Sequence, residues 1–321
     1  MEKILLLGGF GFLGTNILKY IENNHQNEYK VIVFDRFNEH PYFLHFNCVD
    51  KIYNGDFTDN FFIRSIFEEN GIDIVVHSLS ATVPSFSENI YFDIDSNLKP
   101  TLALLNIMKE FNVFKIVYIS SGGAIYGDNS HDVLHKESDA VFPKSSYGII
   151  KLTIEKYLFQ YKHLYQLKPL VLRLSNPYGP YHYSLRQGII NIALKKAISG
   201  TEFTVWGDGK ARKDYIFVDD FCRILFILMQ YNRFGDIFNV GSGQILSVDE
   251  ILTEIHRYFQ RFKWKYDFPN QFDVKHFELD ISKLKTVIGE FSFVTFIEGL
   301  SKTYEWVENF KKEIIAVRNN P

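Results

Sequence analysis

The chain has 321 residues, of which 46% are hydrophobic and 23% are charged, and its formal net charge is −3. This composition is typical of a globular protein with a large core, and it excludes a disordered, collagen-like or coiled-coil chain. The near-neutral charge provides no electrostatic footprint for nucleic acid. The two cysteines, Cys48 and Cys222, are too few for a disulfide framework or a zinc site and indicate a reducing compartment.

Membrane and secretion signals are not found in the sequence. No apolar run approaches the roughly 18 residues that a membrane span needs. The N-terminus passes directly from a short apolar run into glycines, without the longer apolar stretch and cleavage site of a signal peptide. We therefore expect a cytoplasmic protein with no membrane and no nucleic-acid partner.

The first part of the chain alternates short apolar runs with longer segments of helical periodicity. Strands are predicted at 4–7, 31–34, 74–76, 116–119 and 170–174, and helices at 13–23, 60–69, 98–111 and 146–165. Alternating strands and helices imply a parallel sheet covered on both faces. The sequence therefore predicts an α/β fold with a Rossmann-type, doubly wound parallel sheet over residues 1–175.

The pattern is looser in the second part of the chain. Helices are predicted at 187–198, 220–229 and 248–262, separated by glycine-containing turns, and the polar residues 311–321 are expected to fray. This arrangement predicts a smaller C-terminal α/β lobe over residues 176–321, from which some segments return to the first sheet.

A glycine-rich loop, Gly8-Gly-Phe-Gly-Phe-Leu-Gly14, follows the first predicted strand and opens the first helix. Glycines at this spacing let backbone N–H groups approach a pyrophosphate at the helix N-terminus, and a plain strand–helix turn is the alternative. Asp35 ends the second strand, where a carboxylate accepts the ribose hydroxyls and repels a 2′-phosphate. The pattern favours NAD over NADP, although the adjacent Arg36 can admit the phosphate.

Tyr147 and Lys151 lie four residues apart in a predicted helix, so their side chains share one face. A nearby ammonium favours the phenolate and lowers the pKa of a tyrosine, which makes the pair a candidate for proton transfer. Most such pairs are ordinary surface neighbours. Here the pair follows the glycine loop and the segment 120–127 after a strand, and ligands bind at the carboxyl ends of parallel strands.

With these motifs in this order, the sequence resembles the extended short-chain dehydrogenases/reductases that act on nucleotide sugars, and within them the UDP-glucose 4-epimerase type. The resemblance runs from Lys3 to about Trp306. The cofactor contacts that it implies are Gly8, Gly11, Phe12, Leu13, Gly14, Asp35, Asp56, Phe57, Leu79, Ser80, Ala81, Asn97, Ser120, Tyr147, Lys151 and Pro177. The substrate contacts that it implies are Ser121, Tyr147, Asn176, Arg212 and Lys213, and no metal is expected.

The sequence departs from the family pattern at three positions. Gly122 stands where the family usually has a hydroxyl, and we assign that role to Ser121, with Ser120 as the alternative. Lys213 replaces the arginine of an R-D-Y motif, and the adjacent Arg212 is the alternative diphosphate contact. In the segment 270–273, Asn270 replaces another expected arginine. These departures leave the sugar nucleotide less defined than the chemistry.

Structural roles compete with the ligand contacts at several positions. Asp56 serves equally well as a helix cap or as a contact to adenine, and Thr58 competes for the cap. His77 at a strand end is interpreted as a buried, hydrogen-bonded residue. Asn97 inside a helix more often fixes backbone than ligand, and Asn176 before a proline is by default a turn residue, although its place after a strand favours a substrate contact.

The resemblance implies an NAD-dependent nucleotide-sugar 4-epimerase that oxidises the sugar at C4 transiently. Tyr147 then takes the hydroxyl proton while hydride passes to nicotinamide, Lys151 holds the ribose and lowers the pKa of the tyrosine, and Ser121 binds the developing ketone. UDP-glucose and UDP-galactose, or their N-acetyl forms, are the expected substrates. The protein is expected to keep NAD bound and to form a homodimer.

Three other functions are alternatives to the epimerase. A sugar 4,6-dehydratase of the same family carries an acid pair where this sequence has Gly123 and Ala124, which disfavours dehydration. A nucleotide 4-keto-sugar reductase remains open, although it would more often use NADPH, which Asp35 opposes. A non-catalytic NAD-binding protein is disfavoured because Tyr147 and Lys151 are both present.

Overall fold

The computed structural model describes residues 1–37, 44–82, 89–127, 134–184, 187–268 and 276–319, with side chains as far as residue 309. The strands are β1 (Glu2–Leu7), β2 (Tyr29–Asp35), β3 (Val49–Asn54), β4 (Ile74–His77), β5 (Lys115–Ser121), β6 (Lys168–Leu174), β7 (Asn176–Tyr178), β8 (Phe203–Trp206), β9 (Arg212–Phe217), β10 (Asp236–Val240), β11 (Ile245–Ser247), β12 (Trp264–Asp267) and β13 (His276–Phe277). The helices are α1 (Phe12–Asn24), α2 (Asn60–Glu69), α3 (Ile90–Asp93), α4 (Lys99–Glu110), α5 (Gly122–Ile125), α6 (Ser146–Tyr165), α7 (Ile189–Ser199), α8 (Val218–Gln230), α9 (Val248–Tyr258), α10 (Ser282–Ile288) and α11 (Phe296–Asn319), and a π-helical turn (Ile94–Leu98) joins α3 to α4.

Seven parallel strands form the main sheet, in the order β10-β6-β5-β4-β1-β2-β3. Strand β1 lies inside it and is apolar on both faces, as a buried parallel strand must be. Ile4 and Leu6 pack in the layer that contains α1 and α8, whereas Leu5 and Leu7 pack in the layer that contains α2, α4 and α6. The sheet is therefore covered on both faces, as the sequence predicts.

The smaller lobe surrounds β9, which pairs with β7, β11 and β13, while β8 pairs with β12. Its core comes from α7, α9, α11 and these strands, and Tyr215, Phe217 and Leu194 are among its buried members. None of the helices in the described ranges is long and apolar enough to cross a bilayer.

The chain crosses between sheet and lobe more than once. Strand β10 (Asp236–Val240) pairs with β6 at the edge of the main sheet, and α8 packs beside α1. Both elements come after residue 175, so the main sheet is completed by the second part of the chain. Helices α2 and α6 have the bounds that the sequence predicts.

Strand β3 and helices α9 and α11 are among the elements that differ from the sequence prediction. Strand β3 carries no apolar run, because it is an edge strand with mostly exposed side chains, and periodicity does not reveal it. Helix α9 ends at Tyr258 rather than residue 262, since the non-helical backbone of Phe259 turns the chain and lets Phe262 enter the lobe core. Helix α11 continues to Asn319, so the expected fraying from residue 311 was wrong for the backbone.

Candidate active site

A cleft of about 1750 Å³ lies between the carboxyl ends of the main-sheet strands and the smaller lobe. This is where ligands bind in open α/β sheets. The predicted site residues that line it are Gly8, Gly11, Phe12, Leu13, Gly14, Asp35, Asp56, Phe57, Leu79, Ser80, Ala81, Ser120, Ser121, Tyr147, Lys151, Asn176, Pro177 and Lys213. Asn97 and Arg212 are not among its lining residues.

The loop after β1 has glycine at positions 8, 11 and 14 for different structural reasons. Gly8 has a φ of 78°, in the left-handed region that favours glycine. A Cβ on Gly14 would lie 2.2 Å from the carbonyl oxygen of Gly8, so α1 can pack on the loop only without a side chain there. A Cβ on Gly11 would meet only that same oxygen, at 3.4 Å, among the described residues. The protein itself does not require Gly11, whose bare backbone leaves room for a ligand in the cleft.

Asp35 ends β2 at the cleft and is 7% exposed. Its Oδ2 accepts from the backbone N–H of Phe10 at 2.9 Å, and its Oδ1 accepts from that of Arg36 at 2.7 Å. Burial raises the pKa of this carboxyl, and these backbone donors oppose the rise. Each oxygen keeps acceptor capacity for a further donor such as a ribose hydroxyl. Arg36 also lines the cleft.

The segment after β3 resolves the question of the helix cap. Asp59 is the N-cap of α2, where its side chain accepts from the backbone N–H of Phe62 at 3.0 Å. Neither Asp56 nor Thr58 is the cap, because Asp56 Oδ1 instead accepts from both the backbone N–H and the hydroxyl of Thr58. Hydrogen bonds from Thr58 lower the pKa of Asp56. Asp56 is thereby held ionised at the cleft, next to Phe57.

Tyr147 and Lys151 lie in the first two turns of α6, which Ser145 caps. The Lys151 Nζ donates to the Ile119 carbonyl at 2.8 Å and lies 5.6 Å from the centre of the Tyr147 ring. Burial lowers the pKa of Lys151 to about 8, and Glu155 opposes this shift. Burial raises the pKa of Tyr147 to about 12, and a hydrogen bond with Ser121 opposes that rise. In the protein alone, the phenol is therefore protonated at neutral pH.

The two adjacent serines have separate partners. Ser121 contacts the Tyr147 phenol, whereas Ser120 Oγ donates to the buried Glu155 carboxylate at 2.5 Å. The next residue is glycine because a Cβ at position 122 would lie only 3.0 Å from the Phe277 ring and 3.2 Å from the Leu279 side chain. Packing against β13 and the residues after it therefore explains the missing hydroxyl at residue 122.

Two other predicted residues have internal partners. His77 is 3% exposed, its Nε2 lies 3.0 Å from the Thr101 hydroxyl, and burial lowers its pKa to about 3, so it is neutral. Asn97 Oδ1 accepts from the backbone N–H of Ala81 at 2.8 Å, and its Nδ2 donates to the Asp93 carbonyl. Asn97 therefore does not line the cleft itself but fixes the backbone of Ala81, which does.

On the lobe side of the cleft, Lys213 and the adjacent Arg212 differ in the direction of their side chains. The two are neighbours on β9, where successive side chains face opposite ways, and only Lys213 lines the cleft. Arg212 pairs with Glu250 at 3.2 Å and donates to the Ile245 carbonyl, so its side chain is directed away from the cleft, and its diphosphate contact stays a prediction. Asn176 lines the cleft while its Nδ2 donates to the Asp214 carbonyl at 2.8 Å. The segment 270–273, with Asn270, lies outside the described residues.

Sequence reasoning missed His182, which lines the cleft beside the glycine loop. Its ring stacks on Phe12 with a centroid distance of 4.2 Å and nearly parallel planes. Burial lowers the pKa of His182 to about 4, so the ring is neutral. The sequence signal for His182 was the aromatic run that follows Pro180, which belongs to none of the motifs that carry the family resemblance. Within the described ranges, no group of three or more potential metal ligands occurs.

Comparison with known proteins agrees with this geometry. The profile of the NAD dependent epimerase/dehydratase family matches residues 4–241. A Methanocaldococcus jannaschii protein named "Putative UDP-glucose 4-epimerase" is 31% identical over 95% of this chain and 98% of its own length. A Salmonella typhimurium dTDP-glucose 4,6-dehydratase is 26% identical over 95% of this chain and 92% of its own length.

Among solved structures, the UDP-glucose 4-epimerase of Thermotoga maritima with UDP-glucose superimposes with a TM-score of 0.88. It is 29% identical to this chain, and the match covers 97% of this chain and all of that one. The family match spans most of the sheet and lobe that form the cleft, and the glycine loop and Asp35 fit the expected dinucleotide. The chain therefore belongs to the NAD dependent epimerase/dehydratase family, with NAD as its cofactor.

Proposed function

We propose that the protein is a nucleotide-sugar 4-epimerase, acting on UDP-glucose and UDP-galactose or on their N-acetyl forms. The observation that carries the proposal is the group formed by Ser121, Tyr147 and Lys151. The Tyr147 phenol is hydrogen-bonded to the Ser121 hydroxyl and lies close to the Lys151 ammonium, in the same cleft as the glycine loop. Such a group can remove a proton from a sugar hydroxyl and return it.

The cleft fits NAD at two separate points. Gly11 leaves its backbone uncovered at the N-terminus of α1, where a pyrophosphate is favoured by N–H groups and the helix dipole. Asp35 offers carboxylate oxygens at the end of β2, where the ribose hydroxyls of NAD would bind. When bound, NAD supplies a positively charged nicotinamide ring that accepts a hydride and gives it back.

The protein side chains then handle the proton. Lys151, with a pKa of about 8, is mostly charged at pH 7, and its charge favours the phenolate of Tyr147. Because burial raises the pKa of Tyr147 to about 12, we expect the phenol to need further positive charge beside it before it acts as a base. Ser121 is hydrogen-bonded to the same phenol and, in this proposal, would also donate to the sugar C4 oxygen. Catalysis in this proposal therefore starts only with the cofactor in place.

Specific residues distinguish the epimerase from two related enzymes, a 4,6-dehydratase and a 4-keto-sugar reductase. Family relatives include a 4,6-dehydratase, but Gly123 and Ala124 provide no acid for the elimination of water. The second candidate function is a nucleotide 4-keto-sugar reductase, which Arg36 favours because it lines the cleft beside Asp35 and can pair with the 2′-phosphate of NADPH. We favour the epimerase because the buried Asp35 carboxylate repels that phosphate.

We also propose that the protein is a cytoplasmic homodimer that serves polysaccharide biosynthesis. Helices α3 and α6 contact each other and expose Ile90, Tyr91 and Ile149. Exposed apolar side chains grouped on two adjacent helices are typical of a subunit interface. Light scattering tests the dimer, since Tyr91→Glu should give a monomer and a monomeric wild type would contradict the proposal.

The experiment that tests the function has two parts. The purified protein is denatured, and the released dinucleotide is assayed; an epimerase that never needs to release its cofactor should yield NAD without any addition. The native protein is then incubated with UDP-, CDP-, GDP- and dTDP-sugars, and epimers are sought by NMR. Predominant NADP, or a cofactor that washes off freely, would favour the reductase instead.

A further inference from the structure

A buried ion pair lies directly behind the candidate catalytic group and has no part in the chemistry proposed above. Glu155 and Arg173 are 1% and 3% exposed. Arg173 contacts the carboxylate with two nitrogens, Nη2 at 2.8 Å and Nε at 3.2 Å from Oε2. Glu155 follows Lys151 by one turn of α6, so the pair lies beneath the proton-transfer residues.

This pair joins helix α6 to three strands of the main sheet. Glu155 Oε1 accepts from Ser120 at the end of β5, the residue before Ser121. Arg173 Nη1 lies on β6 and donates to the Tyr126 hydroxyl at 2.7 Å. That hydroxyl in turn donates to Asn239 Oδ1 on β10, also at 2.7 Å. The network therefore ties the strand that carries Ser121 to the helix that carries Tyr147.

Stability does not by itself explain such a pair. Moving two charges out of water costs free energy that their attraction repays only in good geometry, and apolar side chains of similar volume often serve as well. A buried carboxylate here nevertheless does two things that an apolar residue would not do. It fixes Ser120 through a directed hydrogen bond, and it places a negative charge near Lys151.

We propose that Glu155 is a positioning residue for the active site. It holds the end of β5 against α6 so that Ser121 meets Tyr147, and it keeps Lys151 charged in an apolar setting. The proposal rests on the function proposed above, in which Lys151 acts as an ammonium. Glu155 does not touch substrate or cofactor, since it is absent from the lining of the cleft.

Lys151 faces several other groups whose charge bears on the test. His77 on β4 is neutral above about pH 3. The Tyr118 ring on β5 lies 4.8 Å from Nζ, and burial raises the pKa of its hydroxyl well above the ordinary value. Tyr147 is protonated near neutral pH in the protein alone. Arg173 on β6 contributes a positive charge beside Glu155. Glu155 is the acidic group of this set, and it raises the pKa of Lys151, so its removal should let Lys151 lose its proton at lower pH.

The experiment compares Glu155→Gln with Asp220→Asn as a matched control. Asp220 is also fully buried and also pairs with an arginine, Arg223, but it lies at the start of α8, away from the lining of the cleft. Two pH profiles are measured from pH 6 to 10 on each holoenzyme: kcat with the nucleotide sugar, and the rate at which bound NAD exchanges with labelled NAD.

For Glu155→Gln, we expect the alkaline limb of both profiles to move down by about one pH unit, the shift typical of losing a nearby opposite charge. The kcat should fall, with little change in KM, because Ser121 is no longer held in place. Asp220→Asn should lose thermal stability and leave both profiles unmoved. If Glu155→Gln behaves like Asp220→Asn, the positioning role is wrong.

Two provisions keep the outcome decisive. If Glu155→Gln fails to fold with Arg173 unpaired, the double variant Glu155→Leu/Arg173→Met replaces the pair. Because this variant removes a positive charge together with the negative one, its expected result is not a shift of the limb in pH. We expect instead a lower kcat and a faster exchange of bound NAD at every pH, since the end of β5 is no longer held against α6. If no nucleotide sugar is turned over, the proposed function fails, but the NAD-exchange profile still tests Glu155. An unmoved exchange profile in the folded double variant would overturn the proposal.

Discussion

The two walls of the cleft are built in different ways. The cofactor wall consists of loops that follow successive parallel strands, and its requirements are mostly backbone ones, as at Gly8 and Gly14. The lobe wall consists of side chains from α7, β8 and β9, whose facing depends on how the lobe packs on the sheet. Within the described residues, the departures from the family pattern are Lys213 at the lobe wall and Gly122 at the end of β5. Backbone-determined sites are thus easier to identify from motifs than sites determined by packing.

The largest expected effect lies where the two walls meet. Tyr147→Phe should reduce kcat by about 10² to 10⁴, because the phenolate is the only base proposed and general base catalysis contributes about that much. Steady-state kinetics and circular dichroism measure the loss and the intact fold. Tyr165→Phe, at the far end of the same helix, serves as the control and should keep its activity. Near-wild-type turnover in Tyr147→Phe would contradict the mechanism.

The adjacent serines sharpen the comparison at one strand end. Ser121→Ala should lower kcat by about 10² with little change in KM, since a donor to the developing oxyanion acts mostly in the transition state. Ser120→Ala should lower kcat less and reduce the free energy of unfolding by about 1 to 3 kcal/mol, because the buried Glu155 carboxylate loses a donor. Kinetics and urea unfolding of both variants check this. Equal kcat effects, or a larger one at Ser120, would reverse the assignment.

A third prediction concerns the lobe wall alone. Lys213→Ala should raise KM for the nucleotide sugar about 10-fold, because a charged hydrogen bond to the diphosphate is lost. Arg212→Ala serves as its control and should change KM by less than about 2-fold, since its partner is the exposed Glu250. Initial rates at varied substrate concentration separate the two. A larger effect at Arg212 would mean that β9 presents its other face to the substrate.

The smallest effect is expected on the cofactor wall, where two glycines differ. Gly11→Ala should weaken NAD binding by a few-fold and leave the melting temperature of the NAD-free protein nearly unchanged, because its Cβ meets little protein. Gly14→Ala should destabilise the protein by about 1 to 3 kcal/mol through overpacking against the Gly8 carbonyl. Calorimetry of NAD binding and thermal melts test the pair. A large loss of stability in Gly11→Ala would show that its role is structural.

Much of the cofactor wall could be predicted because its determinants are local. The order strand, glycine loop and helix specifies where a pyrophosphate can bind, and the apolar runs of β1 and β2 specify which residues end at the cleft. The spacing of Tyr147 and Lys151 specifies one helix face whatever the rest of the chain does. The α/β class and the bounds of α2 and α6 follow from the same local periodicity.

Other features depended on contacts between distant segments. The sequence alone left Ser120 and Ser121 as alternatives, and only the packing of α6 on β5 directs one to Glu155 and the other to Tyr147. Arg212 and Lys213 were likewise equivalent until the pairing of β9 turned Arg212 toward Glu250. The edge strand β3 and the stacking of His182 on Phe12 are of the same kind. The sequence by itself determined the fold class and the cofactor loop, because they depend on neighbours along the chain. The tertiary structure decided the partner of each side chain in the ambiguous pairs, because Glu155 and Glu250 lie 35 and 38 residues away from Ser120 and Arg212.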